Sequence, residues 1–90
     1  MEYIQYVVVK EIEGDTSGLK RSDVVAKADA QNAQLAADIQ ERFPEVKVVD
    51  QLIFGPIIGI PKDRAEEIAI EIRRLFNCGV ARGDMPVKVY

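Results

Sequence analysis

Between residues 13 and 21 the chain reads Glu-Gly-Asp-Thr-Ser-Gly-Leu-Lys-Arg. Gly14 and Gly18 free the backbone. Asp15, Thr16 and Ser17 supply oxygen groups, and Lys20 and Arg21 supply cations. Backbone N–H groups in such a turn, beside a helix start and two cations, are the parts of a small anion site. A phosphate loop of the Walker type is excluded by spacing, because it needs four residues between its glycines and Gly-Lys-Ser/Thr in sequence. Here three residues separate Gly14 from Gly18, and Leu19 intervenes before Lys20. Two further glycine segments could join this one: the pair Gly55-Pro56, and residues 79 to 86, "GVARGDMP", with Arg82 and Asp84.

Other chemistry is sparse. The chain has no histidine, which removes the commonest general acid/base, metal ligand and activator of a nucleophile. Its one cysteine, Cys78, follows a helix C-terminus, where the dipole disfavours a thiolate, and reads as structural. Glu66, Glu67 and Glu71 read as a solvated helix face, with no second ligand set at metal-binding spacing. Asn32 reads as a hydrogen-bonded packing residue. No catalytic residue, metal site or cofactor is expected. A net charge of -3 and a pI near 4.9 disfavour nucleic acid as a partner. Tyr3 and Tyr6 lie outside any aromatic-rich run of the RNA-binding kind. No apolar run approaches the roughly 20 residues of a membrane helix. A single cysteine and a start lacking signal-peptide features lead us to expect a cytoplasmic protein.

Ninety residues bound the chain to one domain, 1–90. Residues 3 to 12, "YIQYVVVKEI", are apolar on both faces, as a central strand would be. A helix is expected from an N-cap at Ser22 to Phe43, with Val25, Ala28, Asn32, Leu35, Ala36, Ile39 and Phe43 on one stripe, ended by Pro44. Residues 46 to 54 read as a strand, Gly55-Pro56 as a turn and residues 57 to 60 as a short strand. Pro61 should open a second helix with Ala65, Ile68, Ala69, Ile72, Leu75 and Phe76 inward, capped by Gly79. "VKVY", residues 87 to 90, would be the last strand.

The order β-α-β-β-α-β is an α+β, ferredoxin-like plan: two helices on one face of a four-stranded antiparallel sheet. The alternative is β-α-β-α-β, with residues 46 to 60 as one bent strand. The split plan brings loops 13–21, 55–56 and 79–86 to one edge. It therefore groups Asp15, Thr16, Ser17, Lys20, Arg21, Arg82 and Asp84 as a candidate ligand or anion site. It also leaves one sheet face without helices, where Val7, Val9, Val49, Ile53 and Ile57 or Ile58 would form an apolar interface patch. The expected function is a non-catalytic protein-interaction or regulatory module that self-associates through that face or an edge. A metabolite, nucleotide or anion sensor using the glycine-rich edge is the alternative.

The tail "CGVARGDMPVKVY" resembles the helix–Gly–Gly-Asp–strand ending of the PII-type signalling proteins, which share the split plan. Gly55-Pro56 stands where those proteins carry a long loop. The resemblance assigns no site residue.

Overall fold

The computed structural model describes residues 2–52 and 54–83. Its elements are β1 (Tyr3–Val9), α1 (Arg21–Arg42), β2 (Lys47–Leu52), β3 (Gly55–Pro61), a 3-10 turn (Lys62–Arg64), α2 (Ala65–Phe76) and β4 (Gly79–Arg82). The four strands form one antiparallel sheet in the order β2-β3-β1-β4, and the class is α+β. Residues 46 to 60 are not one bent strand: β2 and β3 pair antiparallel.

Alternation along β1 sends Ile4, Tyr6 and Val8 toward the helices, and Tyr3, Gln5, Val7 and Val9 away from them. Tyr6 and Val8 meet Ile58 and Ile60 of β3, Leu35 and Ile39 of α1, and Ile68 and Ile72 of α2 in the core. On α1 the buried residues are Ala28, Asn32, Leu35, Ala36 and Ile39. The small side chains among them let the helix lie close over β2 and β3. On α2 they are Ala65, Ile68, Ala69 and Ile72, while Leu75 stays 47% exposed instead of joining the stripe.

Several boundaries differ from those expected. β1 ends at Val9, not at residue 12, because its neighbours end there: Gly79 of β4 pairs with Val9, and the β1–β3 ladder runs only from Tyr3–Pro61 to Val7–Ile57. The N-cap of α1 is Lys20, whose side chain makes no cap bond, and Ser22 lies inside the first turn. The carbonyl of Lys20 accepts from the N–H groups of Asp23 and Val24. Gly55-Pro56 is not the turn but the start of β3, and Phe54 is the turn residue. Pro56 is accommodated because it lies beyond the β1–β3 ladder and pairs only with Gln51 of β2. Pro61 ends β3 in extended backbone opposite Tyr3, and α2 starts four residues later. Asn77, in left-handed backbone with φ 49°, caps α2 instead of Gly79, which begins β4. The final strand expected at 87–90 lies outside the described residues.

The edge strand β2 carries a bulge between Val48 and Asp50, where its register with β3 shifts by one. A bulge at an edge disrupts the ladder that another chain would template on.

Candidate functional site

Gly55 and Gly79 do meet at one end of the sheet. Gly79 faces Val9 across the β1–β4 ladder, and Gly55 lies against the Val8 carbonyl and Val9 Cα. The other proposed partners are carried elsewhere. The β1–α1 connection leaves this end but runs outward along α1. The Glu13 N–H donates to Gln31 Oε1 at 2.8 Å, and Gln31 Nε2 donates back to the Glu13 carbonyl at 2.8 Å. Gly14 then packs beside Lys27. Two further bonds set how far the helix slides along the sheet: Asn32 Nδ2 to the Leu52 carbonyl at 3.3 Å, and Gln51 Nε2 to the Asp29 carbonyl at 3.1 Å. Asn32 is thus level with the end of β2, and Arg21 stands eleven residues beyond it, about 16 Å along the axis. No residue of α1 before Ala28 is buried.

The result is an arm, residues 10–20 folded along the first two turns of α1, projecting past the sheet. Asp15, Thr16, Ser17, Lys20 and Arg21 ride on it. Asp15 is engaged locally: its Oδ1 accepts from Ser17 Oγ at 2.6 Å and from the Ser17 N–H at 2.9 Å. Those bonds hold its carboxyl below the ordinary range. Arg82 pairs with Tyr6, three residues along β4 from Gly79 and so about 10 Å from that end. The Gly83 N–H bonds to the Gln5 carbonyl at 2.7 Å, nearer the opposite end still. Asp84 lies outside the described residues. Of the described residues in the anion group read from the sequence, five therefore ride on the arm and Arg82 lies in mid-strand.

A depression of about 510 Å³ lies at the Gly55–Gly79 end of the sheet, lined by Val9, Lys10, Arg73, Asn77, Cys78 and Gly79. Further concavity lies between α1 and α2 under residues 10–13. A depression of about 200 Å³ has Leu35 and Phe76 on its floor and Glu11, Glu13 and Asp38 around it. A second, of about 470 Å³, shares Asp38 and Phe76 and continues past Leu75 to Glu41 and Arg42. The two form one groove along the helix pair. Lys10 Nζ lies 3.6 Å from Glu13, so part of its charge is met within the rim. Among the described residues, no group of three His, Cys, Asp or Glu side chains is placed to hold a metal ion.

Cys78 flanks the same end, half-buried, its Sγ directed at the Ile72 carbonyl at 3.7 Å. Burial pushes the thiol up, with Lys10 and Arg73 pulling the other way. The neutral thiol is thus favoured in the fold. That contribution is present below the unfolded thiol's pKa and is lost as pH rises through the folded value. Alkylation of the native protein by iodoacetamide should therefore accelerate only above the pH at which a free cysteine reacts. A rate matching the unfolded chain at every pH would contradict the burial.

On the helix-free face, Val49 is 53% exposed, Val9 43% and Tyr3 38%. Glycines explain why. Gly59 sits bare between Tyr3 and Val49, and Gly79 offers Val9 no cross-strand side chain. Lys47 Nζ stands 4.8 Å from the centroid of the Tyr3 ring, on the same face. Val7, between Ile57 and Ala81, is buried and Ile57 is half-buried, so neither is open as expected; Ile53 lies outside the described residues. Sequence reasoning missed the interhelical groove. Its only advance signal was Leu75, a boundary position that periodicity cannot separate from the core stripe.

No helix among the described residues is long and apolar enough to cross a membrane. No protein-family model matches the chain, and neither a search of curated proteins nor one of solved structures finds a match.

Proposed function

We propose that this chain is a non-catalytic interaction module of the ferredoxin-like kind that self-associates through its helix-free sheet face. The element order and the central placement of β1 and β3 support the fold reading. One observation carries the functional reading: Tyr3, Val9 and Val49 stand exposed around Gly59 and Gly79, a face that two missing side chains leave uncovered. Apolar side chains exposed together on a small protein mark an interface. A domain of this size also buries only about two-thirds of its unfolded surface, so association would add to its stability.

The test is sedimentation across a concentration series. Wild type should sediment faster as concentration rises into the tens of micromolar. The variant V9K/V49K should associate more weakly than wild type, with an unchanged circular dichroism spectrum. Equal association by this variant would remove the sheet face from the interface.

A further inference from the structure

We infer that the tip of the β1–α1 arm, Leu19-Lys20-Arg21, docks in the groove between α1 and α2 of a second copy of the chain. This contact is separate from the sheet face, although it serves the same self-association.

Shape and charge both point to it. The tip of the arm lies past the end of the sheet and exposes an apolar side chain beside two cations. Leu19 is 44% exposed, and Lys20 and Arg21 are exposed. The tip is also the N-terminus of a 22-residue helix with no side-chain cap, so its first N–H groups and the positive end of the dipole add to the two cations. Asp15, on the same arm, is turned onto Ser17; Asp23, in the first turn of α1, is the acid that opposes the tip's charge. The groove is the complement. Leu75 and Phe76 give it an apolar floor, and Glu11, Asp38 and Glu41 line its rim. Its bases are Lys10, already beside Glu13, and Arg42. The groove is long and open, which suits a chain segment: Leu19 on Leu75 and Phe76, Lys20 and Arg21 against Asp38 and Glu41. Each copy carries one tip and one groove, so a two-fold dimer closes with two identical contacts.

Charge reversal on each side separates this contact from every other. In K20E/R21E the tip repels the native groove, and in D38K/E41K the groove repels the native tip. Each variant alone should associate about tenfold more weakly than wild type, or not at all. An equimolar mixture should recover the dimer, because native tip meets native groove and reversed tip meets reversed groove. Sedimentation reads all four samples. Two circular dichroism melts confirm that the exposed substitutions leave the fold intact. Wild-type-like dimers from both variants would overturn the docking while leaving the sheet-face reading standing. A mixture no stronger than its components would also overturn it. A wild type that remains monomeric throughout would remove both readings together.

Discussion

Replacing Gly55 with alanine should destabilise the fold by about 3 kcal/mol or more, the sum expected of overpacking against backbone and a residue held at unfavourable φ. Gly55 opens β3 with φ 158°. A Cβ there would fall on the Val8 carbonyl oxygen, far inside van der Waals contact, and 2.6 Å from the Val8 carbonyl carbon. Neither group can turn aside. Val8 is a fully buried residue of the central strand, and its side chain is fixed in the core. Relief therefore requires β3 to move away from β1, breaking the register that places Ile58 and Ile60 inward. Gly59→Ala is the matched control four residues along the same strand. Its Cβ would meet Tyr3 at 3.5 Å and Val49 at 3.6 Å, ordinary contacts, so it should change stability by well under 1 kcal/mol. Urea unfolding of both variants checks the pair. Equal midpoints for the two would show that β1 and β3 are not so closely opposed at Gly55.

That glycine also shows what the sequence could and could not disclose. Gly55-Pro56 reads as a turn because both residues favour turns, yet its glycine is required by the approach of a neighbouring strand, which only the fold brings near. Periodicity placed both helix stripes within a residue or two, because the core enforces the 3.6-residue repeat on Leu35, Ile39, Ile68 and Ile72. It could not place the helix along the sheet. A strand read as 3–12 would match α1 in length. The observed seven-residue β1 spans about 24 Å against about 33 Å for α1, so the helix must overhang. The side chains that fix the direction of the overhang, Gln31, Asn32 and Gln51, act by bonding backbone carbonyls and an amide far away in sequence. The spacing marks Asn32 as an inward residue but does not name its partner, and nothing in the spacing distinguishes Gln31 and Gln51 from solvated polar residues. The helix start was expected at the sheet edge and lies beyond it, which carries Lys20 and Arg21 away from Arg82.

The second large effect falls on a pair that the sequence left open, Ile57 and Ile58. Adjacent residues in a strand face opposite sides. Ile58 is fully buried, pairs with Tyr6 and Val48, and belongs to the core with Val8, Ile39, Ile68 and Ile72. Ile57 is half-buried opposite Val7, on the face without helices. Ile58→Ala should therefore cost about 2–5 kcal/mol, since the two helices resting on it cannot both close the cavity. Ile57→Ala should cost about 1 kcal/mol and leave the helices untouched. The ratio tests the register, because a slip of one residue between β1 and β3 would exchange the two values. Association data sharpen the distinction. Truncating Ile58 weakens the fold on which any interface rests, so its dimer should be lost only as the protein unfolds. Truncating Ile57 removes apolar area beside Val9 and Val49, so its dimer should weaken while the melt scarcely moves. If both variants lose association in step with stability, the helix-free face is only the back of the core and contributes nothing of its own to the interface.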